Sequence, residues 1–355
     1  MRSLPARLEH AATRLLFQLP PAVLVALSGG RPVVVDGNTL HPEMQFLIRG
    51  RELIGGRPLH EGTPDEARHR MLAEAIRYAD DPIALVVRDF EIPGPAGQIS
   101  VRHYSPLEPA GPRPLLVFFH GGAFVVGDLD SHDEPCRVLC HEANVNVLAV
   151  MYRRAPENPF PAAIDDAFAA FRWAKEHASE LSADPSRIGV GGDSAGGNLS
   201  AVVSQLGREA GVSPAFQLLV YPAVDRTTRY PSLELFQRGF FLTAEDIAWA
   251  DSSYMGTRTE LRADPRISPL RATSLANLCP AATFTAGFDP LRDEGEAYAE
   301  ALSRAGVPST VRRFSGLIHG FFNMGGVSPA ARAAVVEIAL ALRELAWSGR
   351  SRTPA

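Results

Sequence analysis

Cysteine is scarce. Cys136, Cys140 and Cys279 are the only three among 355 residues, an odd number, and the first two stand four apart in a segment that patterns as helix. They read as reduced structural thiols in a reducing compartment, not as a disulfide framework. No run of like charge stands out among 35 Lys and Arg against 40 Asp and Glu, so nothing is built to grip a phosphate backbone and no nucleic-acid partner is expected. A bilayer-length apolar run is missing too. Leu15 to Leu27 is apolar apart from Gln18, but Pro20-Pro21 interrupts it, Glu9 sits in its approach and no clear small-x-small cleavage site follows Leu27. The expectation is a cytoplasmic protein with an amphipathic N-terminal segment and no stable membrane insertion.

Ligand motifs are equally thin. His141-Glu142 has no histidine at the spacing a zinc helix requires, and Cys136 with Cys140 lacks a second pair of ligands, so no metal is expected. The glycine-rich stretch from Gly189 to Gly197 fits neither nucleotide fingerprint: Asn198 stands where a phosphate loop needs Lys, and Ser194 where the dinucleotide pattern needs Gly. No cofactor is expected either.

What the chain does have is apolar content, 46% of residues, arranged in alternating short and long runs without repeats or a low-complexity linker. Residues 1 to 83 carry helix-like patches at Leu4 to Leu19, Pro42 to Ile54 and Asp65 to Ala79, the last introduced by Thr63-Pro64. Ala84 to Ile92 and Gln98 to Tyr104 read as a hairpin across a turn-rich link. Strands are then expected at Leu115 to Phe119, Val145 to Tyr152, Arg187 to Gly191, Phe216 to Tyr221, Ala281 to Gly287 and Thr310 to Phe314. Helices fall between them at Glu134 to Glu142, Ala162 to His177, Ala195 to Arg208 and Glu294 to Ala305. Continuously apolar strands separated by helices indicate an α/β fold with a mostly parallel sheet, here with an antiparallel hairpin at its start. Residues 225 to 264 break the rhythm as an aromatic-rich insertion without a good strand, placed to fold over the strand ends.

Gly192-Asp193-Ser194-Ala195-Gly196 fits G-x-S-x-G directly between an expected strand and an expected helix. A serine on such a turn is forced into a strained conformation, small residues two before and two after it let neighbouring chains approach, and the helix N-terminus points amides at it. Of ten histidines only His319 follows Ser194, in a loop just past the last expected strand, where a general base for the serine would hang. Asp289 ends the strand from Ala281, and Pro290 with the following helix would fix its carboxylate; Asp293 and Glu294 are the alternatives, disfavoured because each would lie inside the helix. His120-Gly121-Gly122-Ala123-Phe124 follows a strand and offers backbone amides for an oxyanion, together with Ala195. His120 reads as fixing that turn by hydrogen bonding.

Five motifs together resemble the hormone-sensitive-lipase-like family of α/β-hydrolase carboxylesterases across residues 84 to 345: His120-Gly-Gly-Ala-Phe124, Tyr152-Arg-Arg-Ala-Pro-Glu157, Gly192-Asp-Ser-Ala-Gly-Gly197, Asp289-Pro-Leu-Arg-Asp293 and Ile318-His-Gly-Phe321. Ala123 departs from the family's third glycine but keeps the same N–H, and Arg154 replaces a common Leu. The resemblance implies the α/β-hydrolase fold with a helical cap, made of residues 1–83 and 225–264 over a core of 84–224 and 265–355. It implies Ser194 as nucleophile, Asp289 and His319 completing the triad, and Gly121, Gly122, Ala123 and Ala195 at the oxyanion hole, with Gly121 the turn-former beside the donors. Phe124, Asp193, Phe240, Phe241, Leu242, Ile318 and Phe322 are the candidate substrate pocket, with Phe236 and Trp249 nearby. The implied reaction is hydrolysis of a small ester, of short to medium acyl chain because of the cap, through an acyl-enzyme. The alternatives are an amidase or lactonase on the same triad and a non-catalytic receptor for a small ligand; a homodimer is a family tendency that these residues do not show.

Overall fold

The computed structural model describes residues 13–108 and 111–348. Its main sheet has eight strands: β3 (Val86–Gly94), β4 (Gly97–Ser105), β5 (Arg113–Phe119), β6 (Asn146–Val150), β7 (Ala183–Asp193), β8 (Gln217–Val220), β9 (Ala281–Phe288) and β10 (Ser309–Ile318), in spatial order β10-β9-β8-β7-β5-β6-β4-β3. From β6 to β10 neighbours are parallel, while β4 pairs antiparallel with both β3 and β6. A two-stranded hairpin, β1 (Val34–Val35) with β2 (Asn38–Thr39), stands apart from it.

Every residue of β5, β6, β8 and β9 is buried, because helices cover both faces and leave no polar side to the strands. Successive side chains go to opposite faces, and the core divides accordingly. Leu116 and Phe118 join Cys136, Leu139 and Cys140 of α4 (Asp133–Ala143) and Val335, Ile338 and Leu342 of α10 (Pro329–Trp347) on one side. Leu115, Val117 and Phe119 join Phe171 of α5 (Ala162–Glu176) and Leu199 and Val202 of α6 (Ala195–Glu209) on the other. Both cysteines of α4 are free thiols sealed in this core, and Cys279 is a free thiol buried beside Ser204.

The N-terminal segment folds back on the sheet. Residues 13 to 17 are helical, Pro20-Pro21 ends that run, and a new helix, α1 (Pro21–Leu27), starts with Pro21 in its first turn; the part of the Leu4 to Leu19 patch before residue 13 lies outside the described residues. α2 (Pro42–Leu53) and α3 (Pro64–Tyr78) follow, the latter closed at its start by the reciprocal Thr63 and Glu66 capping box. Two contacts tie this segment down: the His41 amide donates to the Gly316 carbonyl at 2.8 Å, and Glu43 accepts from Ser328 and from the Ala330 amide at the start of α10. After β8 the chain runs through α7 (Pro231–Leu235) and α8 (Ala244–Met255) before returning to β9, with α9 (Arg292–Arg304) between β9 and β10.

Candidate active site

β7 ends at Asp193 and α6 begins at Ala195, so Ser194 alone turns the chain from strand to helix. It does so at φ 53° and ψ −115°, a costly conformation for a residue with a Cβ. Hydrogen bonds hold it there: the Ser194 amide donates to Val220 at 2.8 Å, and its carbonyl accepts from the Asn198 amide at 3.0 Å. Glycine is required alongside, since a Cβ on Gly192 or on Gly196 would run into the carbonyl oxygen of Phe119.

The expected partners converge on this serine. His319, on the loop after β10, places Nε2 3.0 Å from Ser194 Oγ and Nδ1 2.7 Å from Asp289 Oδ2. Carboxylate oxygens only accept, so Nδ1 carries the proton and Nε2 is left to accept from the serine hydroxyl. Asp289 is fully buried and its other oxygen accepts from the Leu291 amide at 2.8 Å, which fixes the carboxylate in the turn between β9 and α9. Asp293 and Glu294 do lie inside α9 and are engaged elsewhere: Asp293 with Arg292 and the Ser232 amide, Glu294 with the Val224 amide. Burial pushes the Glu294 carboxyl up to about 7 against the pull of Arg226.

The loop after β5 reaches the serine from the other strand. Gly122, Ala123 and Phe124 all take positive φ, and no acceptor among the described residues takes the amides of Gly122, Ala123 or Ala195. Gly121 is different. Its amide donates to Asp193 Oδ1 at 2.8 Å, so it shapes the loop and has no free donor for an oxyanion. His120 is the second anchor: burial pushes it down to about 3, and the neutral ring donates from Nδ1 to the Gly121 carbonyl at 2.8 Å. The Tyr152 hydroxyl donates to the His120 carbonyl at 2.8 Å and completes that side.

Asp193 itself is buried, which raises its carboxyl, yet His132, 3.3 Å from Oδ1, and the Gly121 amide outweigh the burial and leave it below the usual carboxylate range. The Tyr221 hydroxyl, kept protonated by burial and by Asp193, donates to Oδ2 at 3.3 Å. The charge beside the serine is thus turned into the loop that carries the free amides.

A cavity of about 110 Å³ opens on this constellation, lined on the core side by Gly122, Ala123, Asp193, Ser194, His319, Gly320, Asn323 and Met324. Of the pocket candidates, Asp193, Phe241 and Leu242 line it. The other four do not. Phe124 is stacked on Tyr254 at 4.0 Å, Phe240 packs against Phe236 and Phe288, Ile318 is wholly buried at the end of β10, and Phe322 stacks on Phe118. Each stands next in the chain to a lining residue, and its own side chain is taken up by packing. The rest of the lining comes from residues that motif reading passes over: Arg51 of α2, Leu59, and Met71, Glu74, Ala75 and Tyr78 of α3. Met71, Ala75 and Tyr78 stand at i, i+4 and i+7, one face of a helix, and that spacing was the available sign.

A serine, histidine and aspartate in this order, with free amides beside the hydroxyl, can add the serine oxygen to a carbonyl and shuttle one proton. A family model described as alpha/beta hydrolase fold matches residues 116–323. The chain belongs to the hormone-sensitive-lipase-like family of the α/β hydrolases. Among its relatives, carboxylic ester hydrolase LipN of Mycobacterium tuberculosis is 45% identical over 96% of this chain and 93% of its own. Ethyl acetate hydrolase of Pseudomonas putida is 35% identical over 86% of this chain and 99% of its own. An ester hydrolase from the metagenome of Lake Arreo, solved in complex with a derivative of bipyridine phosphonate, superposes with a TM-score of 0.83 at 41% identity, covering 86% of this chain and 98% of the other. The α/β-hydrolase fold expected from the motifs is the fold found.

Proposed function

We propose that this enzyme hydrolyses carboxylic esters with Ser194 as nucleophile. The observation that carries the reading is the unbroken chain of hydrogen bonds from Ser194 Oγ through His319 to buried Asp289. His319 takes the serine proton as Ser194 attacks the ester carbonyl. The oxyanion accepts from the amides of Gly122, Ala123 and Ala195, each such donor contributing about 3 kcal/mol to the transition state. His319 then gives its proton to the departing alcohol, and water enters by the same route to release the acid. Ester hydrolase relatives at up to 45% identity over nearly the whole chain support the reaction class.

In this reading the cap is the N-terminal segment, of which residues 13–83 are described, together with 225–264, since α2, α3 and the stretch before α8 supply one wall of the cavity. The cavity of about 110 Å³ is walled in by these segments, which favours short to medium acyl chains over insoluble triglyceride. No helix among the described residues is long and apolar enough to cross a membrane; a cytoplasmic enzyme is the reading that the three free cysteines support. The test is initial rates on chromogenic esters of increasing acyl length. Wild type is expected to turn over the short esters and Ser194→Ala to lose at least about a thousandfold; a mutant as active as wild type contradicts the assignment.

A further inference from the structure

Arg51 is an unusual lining residue for an apolar cavity, and it is held from four directions. Its Nε donates to Glu74 Oε1 of α3 at 3.0 Å, and its Nη2 to the Arg57 carbonyl at 2.6 Å. Gly56 leaves room for its stem, since a Cβ there would run into the Arg51 Cγ. Its guanidinium carbon lies 5.1 Å from the centre of the Phe241 ring, within cation–π range. Phe241 belongs to the insertion, so this contact joins the two sequence-distant segments that cover the site.

Phe241 in turn is poorly anchored by its own backbone. It sits at φ 76°, rare for a bulky residue and kept only where the surroundings over-determine it. On its other side the ring edge lies 3.0 Å from where a Cβ on Gly320 would be, next in the chain to His319. The ring is therefore pinned between Arg51 and the loop of the catalytic histidine, and it faces the cavity.

We propose that Arg51 is a positioning residue that sets the substrate chain-length limit, by clamping Phe241 as a wall of the cavity beside His319. This rests on the ester-hydrolase reading for its assay. Loss of the clamp leaves the strained Phe241 held from one side only, by the Gly320 loop and the core behind it, so the ring swings toward the space Arg51 had closed and the cavity lengthens. Glu74 and the Arg57 carbonyl orient the guanidinium and Glu74 meets its charge, so an alkyl chain entering the cavity passes a neutralised pair.

The test compares kcat/KM on p-nitrophenyl esters from acetate to dodecanoate, relative to the acetate ester, for wild type, Arg51→Met, Arg51→Lys, Phe241→Ala and the double variant Arg51→Met/Phe241→Ala. Arg51→Met and Phe241→Ala are each expected to move the maximum to longer chains and to raise the relative rate on the first ester beyond the wild-type limit about tenfold. The double variant is expected to match Phe241→Ala, since Arg51 acts only through the ring, and Arg51→Lys, which keeps the charge, is expected to retain a wild-type profile more closely than Met does. A maximum unmoved by Arg51→Met, shifts that add in the double variant, or an equal loss at every length would each overturn the proposal. The alkan-2-ones of the same lengths, which bind without cleavage, are titrated calorimetrically in parallel. Wild type no faster than Ser194→Ala on every ester would overturn the ester reading, and the ketone affinities would still decide the clamp: it stands if the limit moves in Arg51→Met and falls if it does not.

Discussion

Asp193 and Ser194 are neighbours in the chain and opposites in task. One offers a neutral hydroxyl to the cavity, and the other keeps a negative charge a few ångströms from where a second would develop in the transition state. The conflict is resolved by direction: the Asp193 carboxylate is spent on the Gly121 amide, the Tyr221 hydroxyl and His132. In the proposed reaction its contribution to rate is indirect, through the placement of the Gly122 and Ala123 amides. Asp193→Asn removes the charge that grips Gly121 and leaves a single acceptor oxygen for donors that now meet two. We expect kcat to fall about a hundredfold with KM little changed, because displaced oxyanion donors act on the transition state. Steady-state kinetics on a short ester check this, and an unchanged kcat would show that the loop keeps its shape without the pin.

At the scale of elements, what was legible in the sequence is what a strand end dictates. Ser194, Asp289 and His319 each follow a strand of the parallel sheet, and a continuous apolar run followed by a turn motif locates such a position without knowledge of anything distant. α3 was legible for the same local reason, its start written in Thr63-Pro64 and its capping box. Thr63→Ala is expected to cost about 1 kcal/mol in unfolding free energy, measured by urea denaturation, while a midpoint unmoved from wild type would mean that packing alone sets this end of the helix. Of the cavity wall beyond the reacting groups only Asp193, Phe241 and Leu242 were picked out, because the rest depends on how α2, α3 and the insertion cross the strand ends. Phe240 and Phe241 are adjacent and chemically identical, yet one packs on Phe288 and the other faces the cavity. The helix α10 went unmarked as well: its apolar residues are frequent enough that no catalytic motif or turn flags it, although it covers one face of the sheet.

Across the whole molecule, buried histidines make folding sensitive to acid. Burial and Arg88 push His103 down to about 4, and His120 is held down to about 3. Below about 6.5 the unfolded chain takes up protons that the folded chain refuses, so these groups cost stability as pH falls through that value. Glu294 runs the other way: with its carboxyl up to about 7, the folded chain is the one that gains a proton between there and the ordinary carboxylate range. Substitution separates the two. His103→Gln, far from the reacting groups, is expected to lose about 2 kcal/mol less than wild type between pH 7 and pH 5, by urea denaturation at each pH; equal losses would mean that His103 is not held neutral by the fold.

The central claim is that Ser194 Oγ is the atom that bonds to the substrate, activated by His319 and Asp289. The most direct measurement is intact and peptide mass spectrometry after reaction with a p-nitrophenyl phosphonate, with residual ester hydrolysis followed alongside. One phosphonyl group per chain, on the peptide carrying Ser194, rising in step with loss of activity and absent from Ser194→Ala, is the expected result. Activity lost with the label on another residue, or full activity retained by a chain labelled at Ser194, would contradict the account.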